Sequence, residues 1–109
     1  MELETTDKTQ LLKVNNNFFS VKNQYFLEND NFIVFQSYNT TMLIYNRNKK
    51  YISFNTNEYN YTTTTSKYLK QVLDHIYYIT YSDNLKQLIN SKNRKKDILS
   101  CWKGVFYLW

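Results

Sequence analysis

Glycine and proline are nearly missing from this chain: Gly104 is the only glycine among 109 residues, and there is no proline. Alanine is absent as well. One glycine cannot build a glycine-rich phosphate loop, which excludes nucleotide sites of that design. Turns must be made by other residues, of which asparagine best tolerates left-handed backbone. Cysteine and histidine occur once each, as Cys101 and His75. A lone cysteine permits no internal disulfide, whereas small secreted domains usually have several. With nine scattered acids, the chain also lacks clustered ligands at metal spacing. Asp74 and His75 are neighbours on an expected helix, so their side chains diverge by about 100°. Cys101 lies in the apolar run "DILSCWKGVFYLW" and reads as an inert core thiol. No catalytic, metal or cofactor residue is expected, and the chain is read as non-enzymatic.

Long hydrophobic runs are missing too. That same stretch, residues 97–109, is broken by Lys103 and falls short of the roughly 20 residues a bilayer span needs. The start, "MELETTDKTQ", has neither the basic nor the apolar region of a signal peptide. A soluble, cytoplasmic protein with no membrane partner is expected. The glycosylation patterns at Asn39-Thr40-Thr41 and Asn60-Tyr61-Thr62 are then chance matches.

What is present is aromatic and basic. Hydrophobic residues make up 42% and aromatics 18%, including eleven tyrosines and seven phenylalanines, enough for one packed core in a single domain, 1–109. The wealth of asparagine, lysine, tyrosine and isoleucine is the residue set of AT-rich codons, which weakens any inference from basicity alone. The distribution of charge is more informative. Residues 1–60 hold six acidic and six basic side chains, whereas 61–109 hold three acidic and eight basic, so the net charge of +5 lies in the second half.

Periodicity divides the chain. Beyond a flexible 1–10, residues 11–60 are mainly β: "NFFSVKN" (17–23), "QYFLEN" (24–29), "NFIVFQSY" (31–38), "TTMLIYN" (40–46) and "KYISFN" (50–55) are aromatic and β-branched runs separated by asparagine, aspartate and lysine. Phe32–Phe35 is apolar on both alternating sets, as in a central strand covered on both faces. From 61 to 92 the period becomes helical. Leu69, Val72, Leu73, Ile76 and Thr80 form one stripe of a helix of about four turns, and Lys67, Lys70, Gln71 and Asp74 form the other face. The run "YTTTTS" is its hinge, with Thr62 or Thr63 as cap and Lys67 beside the exposed amides. A shorter helix runs from Ser82 to about Asn90, capped by Ser82 or Asp83, with Leu85, Leu88 and Ile89 inward. Residues 93–109 are a basic turn or helix and an apolar segment whose Val105–Trp109 reads as a strand docked on the sheet. The fold class is α+β: an antiparallel sheet of four to five strands packed by one long and one short helix, with a possible C-terminal strand.

Two short patterns carry a resemblance. Ser37-Tyr38-Asn39-Thr40 ends a strand, and Tyr61, Thr64, Thr65 and Lys67 open a helix. Together they resemble the Ser-Tyr-Asn-Thr and Tyr-Ser-x-Thr-Thr-x-Lys-His motifs of a small domain of unknown function common in phages and plasmids, over roughly residues 31–90. Thr62 stands where that domain has serine and Tyr68 where it has histidine, so any proton transfer by that histidine is lost here. The resemblance implies an α+β fold and a mobile-element origin.

Two binding roles follow. One is a small phage or mobile-element protein that binds a host protein or ribonucleoprotein complex, as inhibitors of CRISPR or restriction systems do. Exposed tyrosines such as Tyr45, Tyr59, Tyr78 or Tyr81 would suit such an interface. The other is direct binding of single-stranded nucleic acid or RNA by Lys67, Lys70, Lys92, Arg94, Lys95 and Lys96, with Trp102 stacking. Pairing of the terminal strand with its copy would give a homodimer.

Overall fold

The computed structural model describes residues 13–14, 24–38, 40–56 and 63–109, without the side chains of 13–14 and 63–65. Five antiparallel strands follow one another: β1 (Lys13–Val14), β2 (Gln24–Glu28), β3 (Phe32–Ser37), β4 (Thr40–Asn46) and β5 (Tyr51–Phe54). The chain then leaves the sheet for α1 (Thr63–Thr80), α2 (Asp83–Ile89) and α3 (Arg94–Leu99). It returns through a 3-10 turn, Trp102–Gly104, to add β6 (Val105–Tyr107) beside β5. The α+β architecture expected from the periodicity is therefore present. The strand expected over 17–23 and the flexibility expected over 1–10 lie outside the described residues.

Strand alternation decides what is buried. Phe26, Ile33, Phe35, Leu43, Tyr45, Ile52 and Phe54 share one face and meet Leu69, Val72, Leu73 and Ile76 of α1, Leu85, Leu88 and Ile89 of α2, and Ile98 of α3. Each such side chain contributes about 1.5–3 kcal/mol on burial. Leu27, Val34 and Ile44, with Phe32 against them, are buried on the opposite face, so β3 is the doubly covered strand its apolar run implies. Tyr45, expected at the surface, is buried at 1% exposure because it lies in phase with Leu43. Burial pushes its phenol above the ordinary value of 10.0, against a smaller opposite effect of Arg47. Helix α1 has 18 residues, five turns rather than four.

The turns show how a chain without proline folds with one glycine. Asn29 Oδ1 accepts from the amides of Asn31 and Phe32, each at 2.8 Å. Asn46 Oδ1 accepts from Asn48 at 3.1 Å and Lys49 at 2.9 Å. Asparagine carbonyls thus take the place of backbone turn geometry. Tyr38, Lys50, Tyr81 and Lys103 all adopt left-handed backbone, which costs a non-glycine residue about 1 kcal/mol. Gly104 sits where no side chain fits: φ is +72°, and a Cβ would lie 2.6 Å from the Phe54 carbonyl oxygen. It lets the chain turn tightly into β6.

One buried hydroxyl ties the helical layer to the end of the chain. Ser82 is fully buried. Its Oγ accepts from the Leu85 amide at 3.2 Å, capping α2, and donates to the Leu108 carbonyl at 2.6 Å. The terminal segment docks as expected, but the strand stops at Tyr107 instead of Trp109, and two of its three aromatic side chains are not covered. Phe106 and Leu108 turn inward, whereas Tyr107 and Trp109 are 63% and 66% exposed.

Candidate functional site: an aromatic corner and a basic concavity

Helix α1 ends in a tyrosine cluster. Tyr77 and Tyr81 are four residues apart and their rings meet edge to face at 5.9 Å. Tyr78 lies 6.0 Å from Tyr77, and the Lys86 ammonium sits 5.8 Å from the Tyr77 ring centre. Tyr81 closes the helix, its amide donating to the Tyr77 carbonyl at 2.7 Å, with φ at +52°. Glycine is the usual residue at such a position because it has no side chain to strain. Tyr78 and Tyr81 are nonetheless 70% and 69% exposed. The bond from Ser82 to Leu108 brings Trp109, the next residue, near Tyr81, and Tyr78, Ile79, Tyr81 and Trp109 are each exposed.

The opposite end of α1 is basic. Ser66 and Leu69 of α1 and Ser91, Lys92, Arg94 and Lys95 of the α2–α3 junction line a concavity of about 250 Å³. Arg94 is fixed there by a 3.1 Å bond from Nη1 to the Ile89 carbonyl, which completes the C-terminus of α2. The acid within the cluster, Asp97, accepts from Ser91 Oγ. The remaining candidates disperse. Lys70 is drawn to Asp74 at 3.2 Å, and Lys67 lies 5.6 Å from the Tyr68 ring centre. Lys96 is exposed but does not line the concavity. Trp102, 77% exposed, follows the far end of α3 under the Lys103 ammonium, 4.4 Å from its ring.

The motif residues have structural work to do. Ser37 pairs with Thr40 across a two-residue turn, in which Tyr38 has φ of +54° and its carbonyl accepts from Gln36 Nε2 at 2.8 Å. Ser37 is buried and Tyr38 exposed. Thr64 and Thr65 lie in the first turn of α1. Asn39, Tyr61, Tyr59 and the proposed caps Thr62 and Thr63 fall, wholly or in their side chains, outside the described residues.

The polar groups considered for chemistry are engaged otherwise. His75 packs edge-on against Phe26 at 5.2 Å. Cys101 Sγ lies 3.4 Å from the Asp97 carbonyl as donor, and burial, with Asp97 nearby, pushes its thiol above the ordinary 9.0. A thiol so placed is a poor nucleophile at neutral pH. Among the described residues no group of three potential metal ligands occurs, and no helix is long and apolar enough to cross a membrane.

Sequence reasoning reached Tyr78 and Tyr81 and missed Tyr107 and Trp109. The missed signal was strand phase: both alternate with the inward Phe106 and Leu108.

No curated protein and no solved structure matches the chain. The chain belongs to a family of unknown function, DUF8033, whose model matches residues 1–98.

Proposed function

We propose that this DUF8033 member acts without catalysis, by docking its aromatic corner onto a macromolecule of a host cell, a protein or ribonucleoprotein complex. An inhibitor of a defence system such as CRISPR or restriction is a role of this kind, fitting a small protein of mobile-element type in the cytoplasm. The observation that carries the reading is Tyr81. It holds a left-handed backbone angle that glycine would adopt without strain, its ring contact with Tyr77 does no more than offset that strain, and it leaves most of its ring in water; strained positions of this sort gather at functional sites. Trp109 near it and Tyr78 on the same last turn, both exposed, add aromatic area of the kind from which protein interfaces draw most of their affinity. Affinity capture from host cells with the native chain and with Tyr78→Ala/Tyr81→Ala tests this. A partner recovered by the first and lost by the second supports it; equal capture by both refutes it.

The basic concavity supports a second reading, direct binding of single-stranded nucleic acid or RNA. Lys92, Arg94 and Lys95 converge there with the start of α1, a geometry suited to phosphate. Binding would weaken steeply with salt, by roughly 0.7 log units per log unit of salt for each phosphate neutralised on a single strand. Absence of binding at low salt removes this reading and leaves the first intact.

A further inference from the structure

The basic concavity has a neighbour of opposite character. A second hollow, of about 440 Å³, lies within the size range of small-molecule sites, roughly 300–1,000 Å³. Asn84 and Gln87 line it from α2, Asp97 from α3, and Phe106 and Tyr107 from β6. Among the described residues no lysine or arginine lines it. Ser91 lines both hollows, so the two adjoin at the α2–α3 junction. Lys92, Arg94 and Lys95 belong to the basic one and Asp97 to the other.

Local bonds build this division of charge. Ser91 Oγ donates to the Asp97 carboxylate and accepts from the Asn93 amide at 3.2 Å. Arg94 Nη1 is tied to the Ile89 carbonyl at 3.1 Å. Carboxylate and guanidinium are thus each anchored, one in each hollow. Beside a bare phosphate site a carboxylate only weakens binding by repulsion. Set apart from the cations but adjoining them, it suits a ligand that is anionic at one end and offers N–H donors at the other.

The groups of the second hollow match the edge of a base. Asn84 and Gln87 lie three residues apart, on one side of α2. Both are exposed, and among the described residues neither side-chain amide has a hydrogen-bond partner. Such an amide bonds N6 and N7 of adenine together. The N6 amine carries a second hydrogen, for which the Asp97 carboxylate keeps lone pairs beyond the one Ser91 uses. Uracil has no exocyclic amine and cannot bridge an amide and a carboxylate through one nitrogen. Phe106, half-buried on the face of the sheet that α2 covers, gives the base an apolar wall.

We infer that the two hollows form one site for an adenine nucleotide, with its phosphate on Lys92, Arg94 and Lys95 and its base against Asn84, Gln87 and Asp97. The inference rests on the nucleic-acid reading of the basic concavity and adds base selection to it. The nucleotide is either free or an adenosine of an unpaired strand, whose bases are open to such edge contacts.

Titrations at about 50 mM salt with AMP, UMP and RNA oligomers of about nine nucleotides, all uridine or with one central adenosine, test it. Each adenine ligand should bind at least about tenfold more tightly than its uracil counterpart, the discrimination given by a good bidentate base contact. An adenosine oligomer that outbinds AMP identifies a strand as the source, and the reverse a free nucleotide; either supports the site. Asn84→Ala/Gln87→Ala, at exposed positions, should remove the adenine preference and leave the uridine oligomer unchanged. Asp97→Asn has the more telling sign. Loss of a negative charge should strengthen every phosphate ligand if charge alone matters, whereas here the adenine ligands should weaken while the uridine ones do not. Lys92→Ala/Lys95→Ala should weaken both classes alike. Oligomers that bind without distinguishing adenine from uracil overturn the base subsite and leave the nucleic-acid reading standing; no binding at all removes both. An adenine preference that survives Asn84→Ala/Gln87→Ala and Asp97→Asn overturns the inference as well.

Discussion

Replacing Ser82 with alanine should destabilise the fold well beyond the loss of a helix cap. Ser82 Oγ makes two bonds from a fully buried position, accepting from Leu85 and donating to Leu108. Loss of a serine cap costs about 1 kcal/mol. The bond to the Leu108 carbonyl adds about 1 kcal/mol, and more if the acceptor stays dry and unpaired. The sum is about 2–3 kcal/mol. With unfolding entropy near 2.1 cal/mol/K per residue and 109 residues, the melting temperature should fall by about 10 °C. Denaturant and thermal unfolding measure this directly. Amide exchange locates it, because Leu85 and Leu108 should lose protection together although they lie on different layers. Ser82→Asp separates the two roles. Aspartate is a good cap but cannot donate to Leu108 at neutral pH, and it would bury a carboxylate against a carbonyl. It should be at least as unstable as Ser82→Ala. If Ser82→Asp matches the native chain, Ser82 is only a cap and the link to Leu108 contributes nothing.

Other substitutions probe single features. Gly104→Ala should cost at least about 2 kcal/mol, since it combines left-handed strain with a Cβ 2.6 Å from the Phe54 carbonyl; near-native unfolding would contradict that placement. Tyr81→Gly relieves about 1 kcal/mol of backbone strain and gives up a ring contact of similar size, so stability should hold while partner capture is lost. A marked loss of stability would make Tyr81 a structural residue. The phenol of Tyr45 has a raised folded pKa. Its contribution to stability is fully present below its ordinary value of 10.0 and is lost as pH rises through the higher folded value. Alkaline unfolding curves should therefore fall less steeply for Tyr45→Phe than for the native chain, and parallel curves would refute the burial argument. By the same sign, the Cys101 thiol should ionise above 9.0 in the native protein and react slowly with disulfide reagents at pH 8; rapid modification would show it to be activated.

Much of this fold was legible where local chemistry and burial agree. Helix α2 could be read from its cap, Ser82, and from Leu85, Leu88 and Ile89, because an N-cap serine and a helical apolar stripe point to the same element. The strands from Gln24 to Phe54 followed from aromatic and β-branched runs between asparagine turns. Tyr45 was misplaced because its type was weighed above its phase: two residues from Leu43 on one strand, it has to face the core. Tyr107 and Trp109 failed the opposite way, since aromatic bulk suggested burial that alternation with Phe106 and Leu108 denies. The bond between Ser82 and Leu108 spans 26 residues and exists only once β6 has returned to β5, which no local pattern encodes. Of the basic residues, the sequence supplied the charges but not their grouping. Lys92, Arg94 and Lys95 meet α1 because the chain reverses at Ser91, while Lys70 is turned aside by Asp74.

The central claim is that the aromatic corner at the end of α1 is a docking surface. Quantitative affinity capture from host cells, comparing the native chain with Tyr78→Ala/Tyr81→Ala of matched melting temperature, tests it most directly. A protein partner recovered in stoichiometric amount with the native chain, and reduced at least about tenfold with the variant as expected for hot-spot aromatics, is the predicted result. Equal recovery by both, or no specific partner for either, would contradict it.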